Sequence, residues 1–283
     1  MKKSLEVNNL SRVIAGKKNL SPIVNNINKT LNLYNIKSKI NSKKKLDCQI
    51  YHFGGFAMLY KRIFFGKSIK DIVIFHGTDL HGYINDLSII SKLKYYLNYI
   101  SNLILMFLVD DIIVVSNSLF KFVPNRFKAK TSILFLGVDE NLNVFNKQKK
   151  KINFASFVNN NNRGLKNIDL ANSIAYNYKL KLNTLQGLDY KSFIKELSYS
   201  SHIIISSFAE GSPNVLKEAI ILNVNPIVVD VGDCKDIIER YGGILVDYNS
   251  NLLKKYDGQK KYTIKYLSLE RTVNQLKYFI KIN

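Results

Sequence analysis

The stretch His202-Ile203-Ile204-Ile205-Ser206-Ser207-Phe208-Ala209-Glu210-Gly211-Ser212-Pro213-Asn214-Val215-Leu216-Lys217-Glu218-Ala219 decides the reading of the chain. Its isoleucine run is short and β-branched, as in a strand covered on both faces. Ser212 suits a helix N-cap, and Pro213 suits the first helical position, where a missing amide hydrogen costs nothing. The segment therefore reads as strand, tight turn and helix, the unit that builds parallel sheets. Glu210 falls in the turn at the carboxyl end of the strand, and Glu218 lies about a turn and a half into the helix, so that both carboxylates face one crevice. Backbone amides from Gly211 to Asn214, with the positive end of the helix dipole, make an anion site there. Carboxylates that accept hydrogen bonds from hydroxyls, beside an anion site, suit a ligand made of sugars and phosphate.

Working outward, short aliphatic runs alternate with longer amphipathic stretches, the pattern of an α/β protein. Strands are expected at Cys48 to Phe53, Asp71 to Phe75, Ile112 to Val115, Ser132 to Leu136, Ile152 to Val158, Leu180 to Leu185, His202 to Ile205, Ile227 to Asp230 and Ile244 to Val246. Helices are expected at Pro22 to Leu33, Ser88 to Leu108, Ile168 to Tyr178, Tyr190 to Tyr199, Pro213 to Leu222 and Leu267 to Ile282. The polar run Asn141 to Lys151 reads as an interdomain linker. It divides the chain into residues 1–145, residues 146–265 and a closing helix over 266–283.

The central segment resembles the glycosyltransferase family 4 signature, in which two Glu residues with seven positions between them bracket the start of a helix in the donor-binding domain. Glu210 and Glu218 have that spacing, and Asn225-Pro226-Ile227-Val228-Val229-Asp230-Val231-Gly232-Asp233 and Gly242-Gly243-Ile244-Leu245-Val246 continue the likeness. Asp71-Ile72-Val73-Ile74-Phe75-His76-Gly77-Thr78-Asp79, Asp110-Asp111-Ile112-Ile113-Val114-Val115-Ser116 and Leu136-Gly137-Val138-Asp139 resemble first-domain motifs of the same family, and Arg163-Gly164 resembles its basic residue plus glycine. The resemblance implies a somewhat shortened GT-B fold, two Rossmann-like domains facing a cleft, with the last helix crossing back to the first.

It also implies transfer of a sugar from a nucleotide diphosphate sugar to a glycan or lipid-linked acceptor, with retention of configuration, as in bacterial surface polysaccharide synthesis. His76 and Glu210 would touch the transferred sugar. Glu218 would hold the ribose, and Gly16, Arg163, Gly211, Ser212, Pro213 and Asn214 would complete the nucleotide-sugar site. Neither cofactor nor metal is implied, the donor being a substrate. The sequence departs from the family at Phe157-Val158-Asn159-Asn160, where a second basic residue is usual. It is about one βα unit short between Arg163 and Glu210, and it shows no clean first strand before a glycine-rich turn, for which Gly16 is the only candidate.

Composition narrows the alternatives. The 283 residues are 46% hydrophobic, enough for a substantial core and against disorder over most of the length. Two cysteines, Cys48 and Cys234, exclude a disulfide scaffold and read as reduced thiols in a cytoplasm. No secretory signal is seen at the start, and Asp110 and Asp111 interrupt the most apolar window, so no membrane span is expected. A net charge of +21, from 42 Lys and Arg against 21 Asp and Glu, draws anionic partners, although an Asn-, Lys-, Ile- and Tyr-rich composition also follows from codon bias. Peripheral attachment to the inner face of an anionic membrane is one expectation from that charge, with the Lys, Tyr and aliphatic pattern of Leu93 to Leu108 as a candidate contact. A nucleic-acid partner is not expected, since no reading motif accompanies the charge. His76, Asp79 and His81 lack the further ligand group of a metal site, and neither a nucleophile elbow nor a Gly-Lys-Ser phosphate loop occurs. The rival within the same fold is a non-catalytic sugar-nucleotide or partner-binding protein.

Overall fold

The computed structural model describes residues 6–11, 22–81, 89–147, 149–159, 165–258 and 264–280. It divides into two compact units, residues 1–135 with 269–283, and residues 136–268.

In the first unit the order is β1 (Glu6–Leu10), α1 (Pro22–Leu33), β2 (Lys37–Ile40), β3 (Cys48–His52), α2 (Gly55–Phe65), β4 (Lys70–Phe75), α3 (Thr78–His81), α4 (Ile89–Leu108), β5 (Asp111–Val114), α5 (Asn117–Phe120), α6 (Asn125–Lys128) and β6 (Thr131–Ile133). The sheet runs β2-β1-β3-β4-β5-β6 and every pairing is parallel. Ile72 through Phe75 are fully buried, as a strand covered on both faces requires.

The second unit comprises β7 (Lys151–Val158), α7 (Ile168–Asn177), β8 (Lys181–Leu185), α8 (Tyr190–Tyr199), β9 (Ser200–Ile205), α9 (Asn214–Ile221), β10 (Asn225–Val228), α10 (Cys234–Tyr241), β11 (Gly243–Val246) and β12 (Leu252–Tyr256). Its sheet order is β12-β11-β10-β9-β7-β8, parallel except where β12 returns antiparallel on β11. The closing helix α11 (Leu269–Ile280) packs on α1 in the first unit. Both sheets have the α/β, Rossmann-like construction, in which parallel strands gather their carboxyl ends and following loops at one edge.

All nine expected strands are present, with ends shifted by a residue or a few; the Ser132 to Leu136 strand contracts to the three residues of β6. The missing first strand is a correction: Glu6–Leu10 pairs with both β2 and β3. It lacks an apolar signature because Asn8 and Asn9 are fully buried and satisfied by partners distant in the sequence. Asn8 exchanges two hydrogen bonds with the Ser42 backbone, and Asn9 Nδ2 donates to Ser38 Oγ at 2.6 Å. Within the expected linker, Glu140–Lys147 forms 3-10 turns in which Leu142 is buried. Among the described residues asparagine, abundant here, occupies five left-handed positions (Asn35, Asn41, Asn153, Asn167 and Asn223) that few other side chains adopt.

Candidate active site

Beyond β9, Ser206 and Ser207 turn the chain across the sheet edge. Ser206 Oγ reaches the carbonyls of Lys166 and Asn167, at 2.9 and 3.0 Å, and the Phe208 amide donates to the Leu165 carbonyl. Three bonds thus pin the loop before α7 to the end of β9. The result is a compact acid–base group: Glu210 Oε1 accepts from Ser207 Oγ at 2.8 Å and from Lys166 Nζ. Both charged side chains are mostly covered, at 22% and 16% exposure, so the ion pair is less screened than a surface one.

Pro213 is the N-cap of α9, in extended conformation (φ −67°, ψ 117°), and the helix begins at Asn214. This corrects the expectation that Ser212 caps and Pro213 opens the helix. Ser212 is engaged elsewhere: its Oγ donates to Asp233 Oδ2 at 2.5 Å and accepts from Lys217 Nζ at 2.5 Å. Lys217 is wholly buried and Asp233 nearly so. Burial lowers the Lys217 pKa and raises that of Asp233, and each group opposes the other's shift. The loop carrying Asp233 lies hard against the glutamate turn. Gly232 has φ +61°, and a Cβ there would stand 2.7 Å from the Gly211 carbonyl, so no larger residue fits without displacing the site. Asn214, at the mouth of the helix, has its Oδ1 buried without a hydrogen-bond partner, an acceptor aimed at no protein donor.

Glu218 is 6% exposed and accepts a 3.0 Å hydrogen bond from the Tyr190 hydroxyl. Burial pushes its pKa up to about 7, against the opposing effects of the Tyr190 bond and nearby Lys217. Tyr190 is itself raised, by burial and by Glu218. The two glutamates therefore have separate partners: Glu210 is paired with a cation, and Glu218 is held by a neutral hydroxyl in an apolar setting.

In the first unit, His76 follows β4 and His52 ends β3. His52 is wholly buried, and burial drives its pKa down to about 3, so the ring is neutral. Asn9 turns its amide nitrogen to Ser38 and its oxygen to His52 Nε2, 3.1 Å away, which assigns the ring proton to Nε2. His52 Nδ1 is then an acceptor for His76 Nε2 at 3.1 Å. The His76 ring also lies 4.2 Å from that of Phe53, and its backbone amide donates to Asp79. The Asp79 carboxylate also accepts the Gly77 amide at 2.5 Å, yet burial still raises its carboxyl to about 6. A second tight turn stands beside this group: a Cβ on Gly54 (φ +44°) would meet Phe75 at 2.4 Å and Asn102 Oδ1 at 2.5 Å.

Of the site residues expected from sequence, Glu210, Gly211, Ser212, Pro213, Asn214 and Glu218 gather at the β9–α9 turn, and His76 lies in the first unit. Gly16 and Arg163 lie outside the described residues. Sequence reasoning missed Lys166, Tyr190, Lys217 and His52. Two had a signal: Lys166 stands three positions after Arg163, and His52-Phe53-Gly54 repeats the strand-end histidine and nearby glycine of His76-Gly77. Nothing local marks Tyr190, whose role depends on α8 lying beside α9. Among the described residues, no three His, Cys, Asp or Glu side chains are placed to hold a metal ion.

No protein-family model matches the sequence, and no curated protein matches it. Solved structures do match. A glycosyltransferase from Rickettsia africae ESF-5 is 13% identical, with a TM-score of 0.63 over 98% of this chain and 98% of its own. The lipopolysaccharide outer core galactosyltransferase WaaB is 11% identical, with a TM-score of 0.59 over 98% of this chain and 99% of its own. Anabaena HepE, solved in complex with UDP-glucose, is 10% identical, with a TM-score of 0.55 over 86% of this chain and 85% of its own. At such identities the likeness speaks for the fold, and the chain has the GT-B fold of glycosyltransferases.

Proposed function

From a GT-B fold whose second unit gathers two unlike glutamates at one helix mouth, we propose that this protein is a retaining hexosyltransferase that uses a nucleotide diphosphate sugar. The observation that carries this reading is the β9–α9 turn itself: Glu210 with Lys166 and Ser207 on one side, Glu218 with Tyr190 on the other. WaaB transfers galactose to a lipopolysaccharide core and HepE binds UDP-glucose, and the same ligand chemistry suits the groups found here. The acceptor in this reading is a glycan or lipid-linked sugar of a bacterial surface polysaccharide.

Each residue then has a task. Glu218 accepts the ribose hydroxyls; Asn214 Oδ1, lacking a protein donor, accepts another ligand hydrogen. Amides at the start of α9 face the diphosphate, with Arg163 and Lys166 as cations that balance the charge developing on it. Glu210 orients the transferred sugar; for His76, fixed by His52, the family resemblance implies a hydrogen bond to a sugar hydroxyl. The bond from the anomeric carbon to the diphosphate oxygen breaks as the bond to the acceptor oxygen forms on the same face. The acceptor proton passes to the departing phosphate oxygen, so no side chain acts as nucleophile. Positioning and charge stabilisation supply the rate, and no cofactor enters.

The test is incubation with UDP-, GDP- and dTDP-hexoses and a set of glycan acceptors, with the product anomer read by NMR. The expected product keeps the donor's anomeric configuration. An inverted product would refute the retaining assignment, and nucleotide binding with no transfer to any acceptor would favour the non-catalytic alternative suggested by the missing basic residue near Asn160.

A further inference from the structure

Helices α2 and α4 pack side by side in the first unit and run in the same direction. The amides of Gly55 and Phe56, at the start of α2, bond Asn102 and Asn98 of α4, and Arg62, near its end, donates to the Leu108 carbonyl. An ordinary pair of surface helices buries its apolar stripes and shows polar ones. Here the pattern is reversed on the outside. Phe56, Tyr60, Ile63 and Phe64 recur at helical spacing along α2, and each is at least 60% exposed. Along α4, Leu93, Leu97, Ile100, Ile104 and Phe107 form a second outward stripe, each at least 42% exposed. The buried faces of the same helices are separate, and on α4 they include polar residues, Ser101 and Asn102 among them. The outward stripes are thus additional apolar surface, along a helix about 30 Å long.

Charge identifies what covers it. Neither helix contains an Asp or Glu, and α4 carries exposed Lys92 and Lys94 near its start. Arg126 stands over the Phe107 ring, 4.7 Å from its centre, at the other end. Tyr60, Tyr96 and Tyr99, exposed among the aliphatic side chains, bring the amphipathic rings favoured at a lipid headgroup boundary. No helix among the described residues is long and apolar enough to cross a membrane. A second copy of this chain would bring another +21 charge against the same cationic rim, whereas an anionic bilayer offers apolar depth and negative charge together.

We propose that the α2–α4 face lies on an anionic lipid bilayer, with the apolar stripes entering the headgroup boundary and the basic rim bonding lipid phosphates. The proposal does not rest on the transferase reading and is tested without activity. Full-length protein is floated with phosphatidylcholine vesicles, with or without phosphatidylglycerol, at low and high salt, beside the variants Phe64→Asp/Leu97→Asp and Lys92→Glu/Lys94→Glu. All four positions are exposed, so the core is untouched, and unchanged circular dichroism verifies the fold. Wild-type protein is expected to float with the anionic vesicles and far less with the neutral ones. The apolar double variant should lose at least about tenfold of that binding, and the lysine double variant should lose the anionic preference. Flotation of the apolar variant at the wild-type level would overturn the proposal, leaving only diffuse charge attraction. So would a wild-type dimer that this variant dissociates without any vesicle binding, which would make the face a self-interface.

Discussion

In the first unit the side chains of Asn9, His52 and His76 form a neutral line across the ends of β1, β3 and β4, while beyond β9 and β10 of the second the groups are acids and bases in pairs, Lys166 with Glu210 and Lys217 with Asp233 through Ser212. Both edges belong to parallel sheets of the same construction. The difference teaches that the fold fixes where a site lies, and that the side chains at the strand ends fix what it can bind. A neutral imidazole chain places one hydrogen-bonding group with little electrostatic cost. A set of charge pairs instead brings cations to the sheet edge, where an anionic ligand can draw charge-assisted hydrogen bonds.

The comparison breaks most visibly at Lys217. Lys217→Ala leaves Asp233 buried without its cation and should cost about 3–5 kcal/mol of stability, read from urea denaturation. A loss under ~1 kcal/mol would show that the buried network carries little. His52→Leu strands Asn9 Oδ1 and His76 Nε2 in the first unit, for about 2–3 kcal/mol, and that loss should not vary with salt because no charge is involved. Strong salt dependence would contradict the neutral assignment. Below pH 6.5 the same histidine destabilises the wild type: its folded pKa is depressed, so its contribution is lost as pH falls from the unfolded value of 6.5 toward about 3.

Glu218 gives the opposite sign. Its pKa is raised from 4.5 to about 7, so the folded state binds the proton more tightly than the unfolded one. Its contribution is present below pH 4.5 and fades as pH rises through 7. Glu218→Gln, which does not titrate, should therefore gain on wild type by about 3 kcal/mol between pH 4.5 and 8. A stability difference that is flat across this range would remove the buried-carboxylate account. The smallest stability effect belongs to Lys166→Ala, under about 1 kcal/mol for a partly solvated pair, with turnover reduced much more than stability. Wild-type turnover in that variant would take Lys166 out of the site.

How much was legible in advance follows the same divide. The β9–α9 turn is contiguous, so Glu210, Gly211, Pro213 and Glu218 could be read from one stretch of chain, as could strands such as β4 that are apolar throughout. Strand β1 was hidden because its central asparagines are buried through bonds to Ser38, Ser42 and His52, partners up to 43 positions away. Tyr190 was hidden for a similar reason: it reaches Glu218 across 28 positions, through the packing of two helices. Ser212 shows the limit of local rules. It has the chemistry of a cap, but a buried lysine and aspartate compete for its hydroxyl and win. Helix α2 escaped notice because its outward apolar stripe does not follow the pattern of a helix that faces a core.

The central claim is that the helix mouth between Glu210 and Glu218 holds a nucleoside diphosphate. Calorimetric titration of UDP, GDP, dTDP and ADP into wild type and Glu218→Ala tests it most directly. The account predicts that at least one of them binds wild type, and that the variant, still folded, binds that nucleotide about tenfold or more weakly, the loss of one or two hydrogen bonds to a carboxylate. No affinity of the wild-type protein for any of the four, or equal affinity in the variant, would contradict it.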